Sequence, residues 1–150
     1  MNSFTRLDRI AIILFGMLIC LGSYWAFSRG GNDFFVFYEA WRLVLAGKGN
    51  LIYHVSPDRF LYAPAFAFLL APLALIPQSL CLGVWCLFKA WILGLCIRTA
   101  AQFYRLTVGW TCFAFLLAAK PLLIDFQYGQ VNALILCLSF MALMMRMQPH

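Results

Sequence analysis

The sequence predicts an all-α, polytopic membrane protein: a helical bundle of about four to five spans with one amphipathic helix at the interface. Three observations carry that expectation. Hydrophobic residues make up 65% of the 150 residues and charged residues only 11%, against roughly 45–50% and 25% in soluble domains. The mean hydropathy is +0.88. The apolar residues also fall into long runs that charges rarely interrupt. A soluble globule of this size needs far more polar residues to cover its surface. A cytosolic enzyme and a nucleic-acid-binding domain are therefore excluded.

The net charge of +6 fits the same reading. Its basic residues are scattered singly rather than clustered on one face, as snorkelling and interfacial anchoring require. Aromatics reach 17%, and Trp25, Trp41, Trp85, Trp91 and Trp110 lie near span ends or inside apolar runs, where amphipathic rings collect. The cysteines, Cys20, Cys81, Cys86, Cys96, Cys112 and Cys137, all sit in apolar stretches with no CxxC. Loop spacing suited to a disulfide or zinc framework is missing, so they read as small buried hydrophobes.

The whole chain, 1–150, reads as a single transmembrane domain. The run 10–27 carries no charge and covers about 27 Å as a helix, close to the hydrocarbon thickness. It lacks the small-x-small cleavage site of a signal peptide and is expected as an uncleaved first span. Residues 28–59 form the one substantial polar loop. Within it Phe34, Phe37, Tyr38, Trp41, Val44 and Leu45 recur at helical spacing, opposite Glu39 and Arg42. This predicts a short amphipathic helix lying along the bilayer surface, with Gly47 as its C-cap. Residues 60–145 supply the further spans. The run 60–77, broken by Pro64 and Pro72, is either a kinked helix or a re-entrant segment. The run 79–97 is interrupted by Lys89; 108–126 is imperfect, with Lys120 and Pro121 inside it; 131–145 is short and stopped by Arg146. The distribution of Lys and Arg favours an outside N-terminus.

Few residues can carry polar chemistry. Asp8 in the N-terminal tail and Asp58 in a Ser-Pro-Asp turn read as solvated. Glu39 and Arg42, three apart on a helix, are expected to pair. Asp33 follows two glycines at the membrane boundary. It reads as the N-cap of the amphipathic helix, as a general base for a substrate hydroxyl, or as both. Asp125, at membrane depth, is either functional or paired with Lys120. No metal constellation, Walker loop, GxGxxG or GxSxG motif appears, so neither a metal site nor nucleotide chemistry is expected.

A wider pattern runs from residue 33 to residue 132. It comprises Asp33 and Phe34, then Tyr38, Glu39 and Ala40, the Gly47 to Tyr53 spacing, Tyr62-Ala63-Pro64, Ala71-Pro72-Leu73, Pro77, Trp85, and Gly129-Gln130-Val131-Asn132. In this order it resembles the amino-terminal part of glycosyltransferase family 87. Those are polytopic enzymes of the GT-C superfamily that use polyprenyl-phosphate sugars and are best known as α-mannosyltransferases. Members of that family carry further spans, so the chain is expected to be a truncated product, a fragment or one half of a split protein, with a complementing carboxy-terminal half as a partner.

The resemblance implies transfer of a hexose, mannose by family analogy, from a polyprenyl-phosphate donor to a glycan or glycolipid at the cell membrane, with inversion. It implies an external first loop, hence an inside N-terminus against the charge distribution, with Asp33 as the catalytic base. The implied substrate-binding residues are Arg29, Tyr38, Glu39, Arg59, Tyr62, Gln130 and Asn132. The lipid-linked sugar is a substrate, and no separate cofactor is implied. Two other readings stand beside this one: a non-catalytic membrane subunit that keeps the helical packing, and a small carrier using Asp125 and Lys120.

Overall fold

The computed structural model describes residues 5–29, 31–54, 60 and 62–147. Among them the chain forms seven α-helices: α1 (Arg6–Arg29), α2 (Asn32–Leu45), α3 (Pro64–Leu70), α4 (Gln78–Phe103), α5 (Val108–Leu116), α6 (Ala119–Tyr128) and α7 (Asn132–Met147). Two 3-10 segments, Gly49–His54 and Ala71–Leu75, complete the described order. The all-helical expectation holds for these residues.

Local sequence explains the breaks. Pro64 opens α3 at a position where its missing N–H costs nothing, and Pro72 sits where α3 tightens into a 3-10 segment. Thr107 caps α5, its hydroxyl accepting from the Trp110 amide at 3.2 Å. Pro121 lies in the first turn of α6, so a helix continuous with α5 would lose a bond there. The two are bent by 79° instead.

Among the described residues two helices, α1 and α4, are long and apolar enough to cross a membrane, and the α5–α6 pair would be a third if counted as one broken span. The run 60–77 is short and broken, and α7 is a shorter apolar helix.

Helix α1 packs against α5 and α6, and α4 against α7. Ala11, Phe15, Ile92, Leu93, Cys96, Cys112, Leu122 and Phe126 are buried between them. The α1–α6 crossing is close because Gly22 has no side chain: a Cβ there would lie 2.8 Å from the Phe126 Cβ. Gly22→Ala is expected to cost about 1–3 kcal/mol by overpacking. Thermal unfolding in detergent measures it, and an unchanged midpoint would refute the close crossing.

Asp8 is not solvated as the sequence suggests. It is buried, and its carboxylate accepts from the Thr5 amide at 2.9 Å, the Thr5 hydroxyl at 2.7 Å and the Thr107 hydroxyl. The side chain thus ties the start of α1 to the cap of α5, ninety-nine residues away. The α1–α5 approach requires Gly109, since a Cβ there would overlap the Asp8 backbone.

The second core is aromatic and centres on α2. Phe34, Phe37, Trp41, Phe60 and Trp85 are fully buried, with Tyr62 and Phe66 packed against them. The ring centroids of Phe37 lie 5.0 Å from Tyr62 and 5.5 Å from Phe66, both edge-on, an arrangement that adds to simple burial. On the apolar face expected at the surface, Phe34, Phe37, Tyr38 and Trp41 are instead buried against α3, the 3-10 segments and Trp85 of α4, whereas Leu45 at the end of α2 is exposed. Glu39 and Arg42 do pair, at 3.1 Å on the outer face. Gly47, with φ +71°, ends α2. The Gly47 amide bonds the Val44 carbonyl and the Lys48 amide the Leu43 carbonyl, the pattern of a Schellman turn. Five cysteines are buried as expected, whereas Cys20 lies exposed on α1.

Candidate functional site

Helix α2 begins at Gly31, whose φ of +53° a bulkier residue adopts at a cost. Gly31 is the N-cap and makes no side-chain cap bond. Asp33 is therefore not the cap predicted for it. It lies in the first helical turn, where the positive end of the helix dipole favours a carboxylate. Asp33 is half-buried, and its neighbour Phe34 is fully buried.

Facing this turn is a second one, at the end of α6. The Gly129 amide bonds the Phe126 carbonyl at 3.1 Å and the Gln130 amide the Asp125 carbonyl at 2.9 Å, another Schellman turn with Gly129 at φ +72°. Gly129 is pressed onto α2: a Cβ there would come within 2.6 Å of the Phe34 Cβ. The Trp85 indole N–H donates to the Gly129 carbonyl at 2.9 Å. Glycine is therefore needed twice over, for its backbone angle and for the contact that sets the Gln130 turn beside the Asp33 turn.

A buried ion pair underlies the second turn. The Lys89 ammonium donates to Asp125 Oδ2 at 2.8 Å, to the Asp125 carbonyl at 2.9 Å and to the Gln130 carbonyl at 3.1 Å. It also lies 4.4 Å from the Phe126 ring centroid, within cation–π range. The other carboxylate oxygen of Asp125 accepts from the Ala133 amide at 3.0 Å, at the start of α7. Both side chains are almost fully buried, with 1% and 5% exposure. Asp125 therefore pairs with Lys89, not with the Lys120 suggested by sequence proximity. Lys120 is exposed.

Tyr62 closes the group. Its burial, with the Asp33 and Asp125 carboxylates nearby, pushes the phenol above its ordinary value. Gln130 and Asn132 meet through their side chains, the Asn132 amide donating to Gln130 Oε1 at 3.0 Å.

The remaining sequence-derived residues lie elsewhere or are already engaged. Arg29 ends α1, exposed, with its guanidinium 5.6 Å from the Trp25 ring. Glu39 faces outward with Arg42. Tyr38 is buried and donates its hydroxyl to the Ile76 carbonyl at 2.8 Å. Tyr38→Phe is expected to cost about 0.5–1.5 kcal/mol, read as a lower unfolding midpoint. A variant as stable as wild type would show that this bond contributes nothing. Arg59 and Asp58 lie outside the described residues.

Sequence reasoning passed over Lys89, although a lone ammonium inside an apolar run is itself a signal. Its partner is thirty-six residues away, beyond any local spacing rule. Among the described residues no group of three or more His, Cys, Asp and Glu side chains is placed to hold a metal ion. A groove of about 330 Å³ runs between α1 and α5, lined by Leu7, Leu14, Trp110 and Phe113. It is almost wholly apolar and shares no residue with the Asp33–Gln130 region.

The sequence model of glycosyltransferase family 87 matches residues 60–149. That stretch includes Tyr62, Lys89, Asp125 and the Gly129–Asn132 turn; Arg29, Asp33, Tyr38 and Glu39 precede it. No curated protein and no solved structure matches the chain.

Proposed function

The chain belongs to glycosyltransferase family 87, and we propose that it transfers a hexose, mannose by family analogy, from a polyprenyl-phosphate donor to a glycan or glycolipid acceptor. The observation that carries this reading is the apposition of two turns. Phe34 packs against Gly129, so the first turn of α2, which carries Asp33, adjoins the Gly129–Asn132 turn, which carries Gln130 and Asn132. A base beside amides suited to sugar hydroxyls is what hydroxyl glycosylation requires.

The chemistry is economical because the donor is already activated. Asp33 takes the proton of the acceptor hydroxyl. The hydroxyl oxygen attacks the anomeric carbon from the face opposite the phosphate, and the carbon–oxygen bond to phosphate breaks. The polyprenyl phosphate leaves with the bonding pair, so the anomeric configuration inverts. Arg29, at the end of α1, and Arg59 are the basic residues proposed to meet the departing phosphate, where fixed positive charge lowers the barrier. Gln130 and Asn132 hydrogen-bond the sugar, and Tyr62 is assigned to the same site. In this reading the first loop is external, the arrangement is GT-C-like and the membrane is the cell membrane.

Membranes containing the chain are incubated with radiolabelled polyprenyl-phosphate hexose, and separately with a nucleotide-linked hexose. Transfer from the lipid-linked donor alone is the expected result. Transfer from the nucleotide donor would overturn the donor assignment. No transfer from either would favour a non-catalytic membrane subunit.

A further inference from the structure

Burying an ion pair is an expensive way to hold helices together, since apolar side chains of similar volume do as well or better. Lys89 and Asp125 nevertheless form one in the heart of the bundle. The placement of each charge explains what the pair fixes. The Lys89 ammonium grips the Asp125 and Gln130 carbonyls at the carboxy-terminal end of α6, where the helix dipole is negative. The Asp125 carboxylate accepts from Ala133 at the amino-terminal end of α7, where the dipole is positive. One pair therefore pins both ends of the Gly129–Asn132 turn. The ammonium has three protons and three oxygen partners, so little freedom is left to the turn.

We propose that Lys89 is a positioning residue, which through Asp125 fixes the Gly129–Asn132 turn so that Gln130 and Asn132 meet the sugar beside Asp33. This rests on the transferase reading above. Lys89 touches neither donor nor acceptor; it acts through the backbone of the turn. The orientation of the pair follows from the helix ends, so Lys and Asp have fixed places in it.

The test uses the full chain and the double variant Lys89→Met with Asp125→Leu, which leaves no buried charge unpaired. The variant is expected to fold with a melting temperature close to wild type. Its KM for the lipid-linked donor should rise roughly tenfold while kcat stays nearly unchanged, the mark of lost ground-state binding. Adding Gln130→Ala should raise KM no further, because that contact is already misplaced. A pair that is merely structural would lower only the amount of active enzyme and leave KM alone, which overturns the proposal. A double variant that does not fold overturns it too, in favour of a fold-determining pair.

A wild type without transfer would sink the transferase reading instead, and amide exchange then decides on the positioning. The Gly129 and Gln130 amides, which bond within the backbone of the turn, should exchange roughly tenfold faster in the double variant, with α4 as protected as before. Unchanged protection of the turn would show that Lys89 does not hold it.

Discussion

Asp33→Asn is expected to lower sugar transfer by roughly 10²–10⁴-fold, the range that a positioned general base contributes. The substitution keeps the shape of the side chain and removes its basicity. Among the described residues Asp33 has no hydrogen bond or ion pair for the change to break, and Gly31 rather than Asp33 caps α2. Folding should therefore be almost untouched, with an unfolding midpoint within a degree or two of wild type by the usual scale for surface changes (about 0.5 kcal/mol). The loss should fall on kcat, because proton transfer occurs only in the transition state. Asp33 lies outside the stretch matched by the family model, which makes this the decisive variant. A mutant that keeps more than about a tenth of the wild-type rate is incompatible with a general-base role of the size given above.

What the sequence revealed depended on distance along the chain. Signals confined to one or two turns were legible. The Glu39–Arg42 pair, the Gly47 helix end and the apolar face of α2 follow from spacings of three or four residues. Their tertiary use was not legible. The apolar face of α2 could equally have met lipid, and only the rings of Phe60, Phe66 and Trp85, brought from later in the chain, decide that it meets protein. The buried charges were harder still. Lys120 is the lysine nearest to Asp125 in sequence, yet an offset of five puts the two on different faces of a helix. The bend before α6 instead directs Asp125 into the bundle, toward Lys89. Asp8 looked like a tail residue because Thr107 and Gly109, which enclose it, lie about a hundred positions on. Of the candidate site, Asp33, Tyr62, Gln130 and Asn132 were found as residue types in a pattern. The glycine contact that sets the two turns side by side was not.

That contact yields the second large effect. Gly129→Ala is expected to destabilise the fold by about 2–5 kcal/mol, the sum of a strained left-handed backbone and overpacking. At φ +72° a Cβ crowds the backbone. It would also come within 2.6 Å of the Phe34 Cβ, closer than such atoms approach. Phe34 cannot yield easily, being fully buried with the Tyr38, Trp41 and Trp85 rings around it. The turn must move instead, which breaks the Trp85 bond to the Gly129 carbonyl and shifts Gln130 away from the Asp33 turn. Transfer should therefore fall further than the loss of folded protein accounts for. Gly129→Asn separates the two causes, because Asn tolerates the left-handed region yet carries a Cβ. Similar losses for Ala and Asn would place the effect in the approach to Phe34. An Asn variant as stable and active as wild type would mean that backbone angle alone requires glycine, and the apposition of the two turns would lose its main support.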